Sequence, residues 1–360
     1  MKIPGPVVLD LSFWTRRRVL VTGHTGFKGA WLSLWLQSLG AEVTGVSRGV
    51  PTSPSLYELA RVGAATWGMT ADMCDATGVR DAVLAARPEV VFHLAAQPMV
   101  RRSLRDPVGT YAVNVIGTVN VLEAVRQAGH EVLAVVVVTS DKCYENAGER
   151  GRRFVESDPL GGSDPYSSSK ACAELVTAAY RRSFFQADGA PAVASARAGN
   201  VLGGGDWGED RLVPDTVRAV EAGRPLQVRN PGAVRPWQHV LSPLSGYLRL
   251  AEELARDPQR RAARAWNFGP PAGDEQTVGR VIELLQDLWR GELQWQRDEG
   301  ENPPEASHLA LDSSAAEELL GWRPAWPLQE SLELAVDWHR AQRDGQDMRA
   351  VSLEQIARLR

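Results

Sequence analysis

A tyrosine and a lysine four positions apart, in Tyr166-Ser167-Ser168-Ser169-Lys170, could serve as a proton acceptor and its electrostatic support. On a helix, positions i and i+4 share a face. A phenol with an ordinary pKa of about 10 is a poor base near neutrality, and each unit of lowering needs about 1.4 kcal/mol of preference for the phenolate. Lys170 is placed to supply that preference. Such pairs are common by chance, but here Thr139-Ser140-Asp141-Lys142 closes an apolar run, with Ser140 standing 26 residues before Tyr166. A hydroxyl, a phenol and an ammonium beside a nicotinamide can remove an alcohol proton while hydride leaves the same carbon. Ser140, Asp141, Lys142, Tyr166 and Lys170 are the candidate catalytic residues.

Such chemistry needs a dinucleotide, and Gly23-His24-Thr25-Gly26-Phe27-Lys28-Gly29 has the form that receives one. A strand running into a glycine turn and then a helix lets a pyrophosphate approach backbone N–H groups at the positive helix end. The spacing is GxxGxxG, which by itself is equally a tight connection. Its position after the first strand of a βαβ unit of about thirty residues points to a dinucleotide. Gly23, Thr25, Gly26, Phe27, Lys28 and Gly29 are therefore candidate cofactor contacts. Gly203-Gly204-Gly205-Asp206-Trp207-Gly208 matches GxGxxG letter for letter but comes late, with no βαβ unit after it, and reads as a flexible loop near the site. An acidic residue is expected at the end of the second strand to bind the ribose 2′-hydroxyl of NAD, yet Ser47-Arg48 stands there. Arg48 either pairs with a 2′-phosphate, which keeps NADP open, or is a solvated surface group. Asp72, after the third strand, either accepts from the adenine amino group or caps a helix.

These residues need a scaffold that brings them to one edge. Apolar, β-branched runs at Arg18 to Thr22, Glu42 to Ser47, Glu89 to Ala95, Glu131 to Ser140 and Ala192 to Val201 are continuous rather than alternating, as in strands covered on both faces. Helical patterns intervene at Gly26 to Leu39, Asp75 to Ala86, Val108 to Ala128 and Tyr166 to Phe184. The alternation predicts an α/β fold with a doubly wound parallel sheet of the Rossmann type. After about Gly203 glycine, proline and tryptophan become denser, suggesting a smaller C-terminal α/β substrate-binding domain. The expected division is residues 1–200, with about 232–268 returning to it, then 201–231 and 269–343, and a polar tail at 344–360 that forms an appended helix.

Composition excludes several classes. The chain has 360 residues, 44% hydrophobic and 23% charged, with a net charge of −4, which leaves neither nucleic acid nor an anionic membrane as an expected partner. Cys74, Cys143 and Cys172 are odd in number and lack CxxC spacing, so neither a disulfide framework nor a zinc site is indicated. The six histidines, among them His24 and His130, are scattered without an HExxH, so no metal site is expected. The start of the chain lacks the order of a signal peptide, and no stretch approaches the ~20 apolar residues of a membrane span, so a soluble, cytoplasmic protein is expected.

Together the glycine loop, His93-Leu94-Ala95-Ala96-Gln97, Ser140 and Tyr166-x-x-x-Lys170 resemble the nucleotide-sugar branch of the extended short-chain dehydrogenase/reductase family. Longer strings, at 23–29, 139–146, 197–207 and 235–240, are more similar to the 4,6-dehydratases acting on CDP-glucose than to their dTDP- or GDP-sugar relatives. The resemblance runs from about Arg17 to His339. It implies oxidation at C4 of the hexose by hydride transfer to NAD, loss of water across C5 and C6, and return of the hydride to C6, in deoxysugar biosynthesis of the kind that feeds lipopolysaccharide O-antigen. Asp141 and Lys142 occupy the positions of an Asp-Glu pair in the dTDP-glucose relatives. Asp141 would protonate the departing C6 oxygen. Lys142 would be the C5 base, or would stay charged and steady the enolate. As a base it must be neutral, and bringing a lysine from about 10.4 to near 7 costs about 4 to 5 kcal/mol.

The same resemblance places Met73, Leu94, Ala95, Ala96 and Gln97 at the cofactor, with Asn114, Thr139 and Arg197 beside Tyr166 and Lys170. It implies a homodimer or homotetramer, pairing through the 108–128 and 166–184 helices. For the substrate, Arg211, Arg229 and Arg235 are candidate phosphate ligands because planar guanidinium can bind phosphate oxygens with two bonds. Gln97, Asn200, Leu212, Trp237 and His239 complete the substrate set. Asn200 is otherwise a turn residue, and Asn114, within an apolar helix, either orders the Tyr166 region through water or satisfies a neighbouring carbonyl. Trp207 and Trp237 are the tryptophans read as more than packing. A sugar 4-epimerase or reductase would dispense with the Asp141-Lys142 pair, and a regulatory dinucleotide-binding protein would be expected to lack Tyr166 or Lys170.

Overall fold

A computed structural model of the protein describes residues 9–128, 131–300 and 306–359; His130 lies outside them. The strands of the first half are β1 (Arg18–Thr22), β2 (Glu42–Ser47), β3 (Thr66–Thr70), β4 (Val90–His93), β5 (Ala134–Val138) and β6 (Ala192–Ala198). With β11 (Ala265–Phe268) they form one seven-stranded sheet in the order β11-β6-β5-β4-β1-β2-β3. Every pairing in it is parallel. β1 and β2 have the bounds expected from sequence. β4, β5 and β6 are shorter than their apolar runs because the chain leaves the ladder to enter the loops that line the site.

The sheet is covered on both faces, which explains the unbroken apolar runs. On one face Val21, Phe92, Val136 and Val138 pack with α2 (Phe27–Ser38) and α10 (Leu241–Arg256). On the other, Leu20, Val91, Val135 and Val137 pack with α4 (Ala76–Ala86) and α7 (Gly117–Ala128). Short helices α1 (Leu11–Trp14), α3 (Leu56–Leu59), α5 (Val100–Arg105) and α6 (Pro107–Tyr111) flank these, and α8 (Pro165–Ser183) carries Tyr166 and Lys170. The stretch expected as one helix from 108 to 128 is α6 and α7 joined through a π-helical turn at Ala112–Ile116. Pro107–Ala128 also has a mean hydropathy of 1.3 over a membrane-length window, 44% of it buried. The sequence expectation that no stretch reaches this level needs correction: small residues and a near absence of charge give the hydropathy without an unbroken apolar run.

Beyond β6 the strands are short and pair locally. β7 (Val201–Leu202) pairs with β10 (Gln238–His239), β8 (Leu226–Val228) with β13 (Trp295–Arg297), and β9 (Val234–Pro236) with β12 (Glu275–Thr277). With α9 (Leu212–Glu221) and α11 (Val278–Leu288) they surround a separate apolar cluster of Val213, Val217, Trp237 and Ile282. α12 (Ser314–Leu320) lies against the main core. α13 (Leu328–Arg343) joins the two parts: Leu332 and Val336 enter the smaller cluster, Leu334 and Trp338 the larger. The polar tail is α14 (Met348–Ala357), docked through Met348 and Ile356 and by a hydrogen bond from Trp338 Nε1 to Ser352 Oγ of 2.9 Å.

The loop expected to be flexible, Gly203 to Gly208, is locked. Trp31 Nε1 donates to the Gly204 carbonyl at 3.0 Å, and a Cβ on Gly204 would overlap the Trp338 ring. Glycine is needed here for close packing rather than for a ligand. Gly204→Ala should therefore lower stability by about 1–3 kcal/mol, the usual effect of overpacking a core. Thermal denaturation reads this directly, and an unchanged midpoint would show that the loop yields.

Candidate active site

A cavity of about 1500 Å³ opens at the carboxyl ends of β1, β4, β5 and β6. It lies where the strand order reverses between β1 and β4, the place where an open α/β sheet leaves a crevice. Its size exceeds the ~300–1,000 Å³ of a pocket for one small ligand, leaving room for two. At the first crossover Gly23 has φ +73°, and a Cβ there would come within 2.8 Å of the Ala95 nitrogen. A Cβ on Gly29 would overlap the Gly23 carbonyl. The turn is thus closed against the chain that leaves β4 and against its own helix, which begins after Gly26 with no side chain capping it. Its first-turn N–H groups and positive dipole end meet the cavity, which fits a dinucleotide pyrophosphate.

Thr25 holds this loop by donating to the Gly49 carbonyl at 2.7 Å. Gly26, Phe27, Lys28, Met73, Leu94, Ala95, Ala96, Gln97 and Thr139 line the same cavity. Arg48 lies on its rim with its guanidinium 3.4 Å from Asp72, whose other oxygen accepts from the Cys74 nitrogen. Asp72 thus closes a local turn, while α4 is capped by Asp75.

At the end of β5, Ser140 starts a 3₁₀ turn, Asp141–Cys143, that brings Asp141 and Lys142 to the cavity. The Ser140 hydroxyl donates to Asp141 Oδ1 at 3.0 Å. Asp141 is buried and its Oδ2 has no protein partner among the described residues. Burial raises its pKa against the opposing pull of Lys142, the Ser140 hydroxyl, Arg235 and Lys28, so the carboxyl is biased toward its protonated form. Gly199 makes room for it, since a Cβ there would meet Asp141 Oδ2 at 2.7 Å.

Asp164 caps α8 through the Ser167 nitrogen at 2.9 Å, and the helix presents Tyr166 and Lys170 to the cavity. Lys170 Nζ donates to the Val138 carbonyl at 3.3 Å. Burial brings Lys170 down to about 8, with Glu174 and Cys143 opposing, and brings Lys28 down to about 8 with Asp141 opposing. Tyr166 is pushed up to about 12, chiefly by burial, with the Ser140 hydroxyl acting in the other direction. The lowering expected from Lys170 is not found: the downward pulls on Tyr166 come from the Ser140 hydroxyl and Arg211, and burial outweighs them.

Asn200, Arg211, Leu212, Arg229, Arg235 and Trp237 line the cavity from the side of the smaller part, as does Trp207. Arg211 is paired with Asp206 at 2.8 Å, and Trp237 Nε1 donates to the Gln276 carbonyl at 2.9 Å. Three expected site residues are elsewhere. Asn114, presented by the π turn, spends its amide on the backbone of Gln97 and on Ser169 Oγ, so it braces the cavity wall without lining it. Arg197, in β6, is held in an ion pair with Glu174 of 2.8 Å and a hydrogen bond to the Tyr144 hydroxyl, and does not line the cavity. His239 packs between Trp31 and Trp326, where burial lowers it to about 3. In each case an inward-facing polar side chain serves the scaffold. Conversely Arg101, Arg102 and Arg105 of α5 and Asp210 line the cavity and were missed. The cluster of arginines in Val100–Arg105 was the available signal.

Residues 19–269 match the model of the NAD dependent epimerase/dehydratase family. The chain is 46% identical over 358 residues to the CDP-glucose 4,6-dehydratase of Salmonella typhimurium, covering 97% of this chain and 98% of that one. It is 28% identical to a probable dTDP-glucose 4,6-dehydratase of Sinorhizobium fredii, over 89% of this chain and 92% of that one. Among solved structures, a dTDP-glucose 4,6-dehydratase of Streptomyces venezuelae with NAD and TYD bound superposes with a TM-score of 0.77 at 25% identity, covering 91% of this chain and 98% of that one. The UDP-glucose 4-epimerase of Thermus thermophilus in complex with NAD gives 0.76 at 28% identity, covering 90% and 99%. With the family model matching residues 19–269 and a relative 46% identical across nearly the whole of both chains, the chain belongs to the NAD dependent epimerase/dehydratase family.

Proposed function

We propose that the protein converts CDP-glucose to CDP-4-keto-6-deoxyglucose. The observation that carries this reading is the meeting of Asp141 and Lys142 with Tyr166 and Lys170 in one cavity, in a chain 46% identical to a CDP-glucose 4,6-dehydratase. An epimerase has no use for the first pair. Bound NAD would supply the redox chemistry, accepting hydride from C4 and returning it to C6, so that it is regenerated in each cycle. Tyr166 as phenolate takes the C4 hydroxyl proton, with Lys170 on the same face of α8 and the positive nicotinamide that bound NAD would bring working against the burial that disfavours the phenolate. The C4 ketone acidifies the C5 proton, which Lys142 removes. Asp141, held toward its protonated form by burial, gives its proton to the C6 oxygen, which leaves as water. Arg211, Arg229 and Arg235 provide the positive charge that a nucleoside diphosphate needs.

The protein acts as a homodimer in the cytoplasm. Val108 and Tyr111 of α6, Ile116 of the π turn and Leu175 of α8 are exposed, Val108 by 79%. A second copy pairing through these helices would bury them. The three cysteines are unpaired, which suits a reducing compartment.

Incubation with CDP-glucose and a panel of other nucleotide sugars, with NAD added, should give a 4-keto-6-deoxy product from the cytidine compound; C4 inversion, or no turnover of any sugar, would overturn the reading. In deuterated solvent Lys142→Met should lose about 10²–10⁴-fold in deuterium incorporation at C5, the usual contribution of a positioned base. Undiminished incorporation would remove Lys142 from that role. Light scattering should find a dimer for the native chain and a monomer for Ile116→Glu, and a native monomer at working concentration would exclude the proposed pairing.

A further inference from the structure

The arginines around the cavity meet their carboxylates at different distances. Arg211 is closely paired with Asp206 at 2.8 Å and Arg218 with Asp215 at 2.5 Å. By contrast, Arg101 of α5 and Arg229, just past β8, both approach the same oxygen of Asp210, at 3.5 and 3.6 Å. Neither distance is that of a charge-assisted hydrogen bond, which is about 2.7–2.9 Å. Arg229 also reaches the Asp210 backbone carbonyl at 3.3 Å. Two guanidinium groups, one from the dinucleotide-binding part and one from the smaller part, thus share one loosely held carboxylate. All three residues line the cavity. Asp210 itself adopts φ +58°, a left-handed conformation that a non-glycine residue rarely takes.

We propose that Asp210 is a stand-in anion: its carboxylate holds Arg101 and Arg229 together in the place where the substrate's diphosphate binds, and it gives them up when the diphosphate arrives. This rests on the nucleotide-sugar reading and deepens it by assigning Arg101 as a second diphosphate ligand, on the opposite wall from Arg229. A phosphate oxygen can make with each guanidinium the short, paired hydrogen bonds that the single carboxylate oxygen of Asp210 does not make. The exchange carries a cost in affinity, because the incoming anion must displace a resident one of like charge. In return the two arginines are held close together before the ligand binds, and their mutual repulsion is relieved.

The consequence is an inverted mutational effect. Removing a carboxylate from the cavity should tighten binding of an anion. Titration calorimetry with CDP, at one ionic strength, should give a dissociation constant roughly three- to tenfold lower for Asp210→Asn than for the native protein, the range expected for one partly screened charge. Arg101→Gln should weaken CDP binding, and in that background the gain from Asp210→Asn should shrink. Asparagine tolerates the left-handed backbone. Should Asp210→Asn fail to fold, Asp210→Gly removes the same charge with no conformational penalty. Unchanged or weaker CDP binding by the folded charge-removal variant overturns the proposal, as does an Arg101→Gln variant that binds CDP like the native protein. If the native protein binds no CDP, the cytidine reading falls, and inorganic pyrophosphate titrated in the same way tests Asp210 on its own: tightening sustains the exchange and no change ends it.

Discussion

A buried ion pair anchors the active site to the sheet. Glu174, one helical turn beyond Lys170, is 3% exposed and faces Arg197 of β6 at 2.8 Å. Two charges removed from water are tolerated only when their remaining hydrogen-bonding capacity is met. Most of it is met here by Thr139 and Ser195, which donate to the two Glu174 oxygens, and by Tyr144, whose hydroxyl accepts from Arg197 and donates to Asn267, while Arg197 Nε has no partner among the described residues. These partners come from the end of β5, from β6, from the loop after the 3₁₀ turn and from β11. One network therefore fixes the position of α8 relative to β5 and β6, which lead into Ser140 and Gly199. The distance between the tyrosine-lysine helix and the Asp141-Lys142 turn follows from it.

Above this anchor, dehydration dominates the electrostatics. Lys28 and Lys170 are brought down to about 8, His93 to about 3, and Asp141 is raised, in each case with burial as the leading cause. The same low-polarity environment moves acids and bases toward their neutral forms, which is the condition for a carboxyl that must donate a proton. His93 shows the structural side of this effect. Bonded to Thr22 and Thr118, it stays neutral and links β1, β4 and α7 beneath the site.

The loops of the smaller part owe their order to tight packing against the sheet domain. Trp31, Trp207 and Trp338 close around Gly204, and α13 contributes opposite faces to both apolar clusters. The arginines carried by those loops are therefore presented from a rigid wall. Their partners are Asp206, on the glycine-rich segment, and Asp210, two residues past its end, so the packing of that segment bears on the charge balance of the cavity.

The amino-acid sequence by itself determined the alternating parallel architecture, the glycine turn and the tyrosine-lysine helix. These are local patterns: a strand covered on both faces is apolar throughout, a turn pressed against the chain that leaves β4 admits no Cβ at Gly23, and residues four apart share a helix face. It did not determine which polar residues reach the cavity. Asn114, Arg197 and His239 carry the same chemistry as the polar residues that line the cavity, and only the tertiary structure turned them toward Gln97, Glu174 and Trp31 instead. Nor could it join Arg101 to Asp210 and Arg229, residues separated by more than a hundred positions and brought to one oxygen by the meeting of two parts of the fold. Periodicity records the neighbours along the chain, whereas the partner of a buried charge is fixed by whatever the completed packing sets against it.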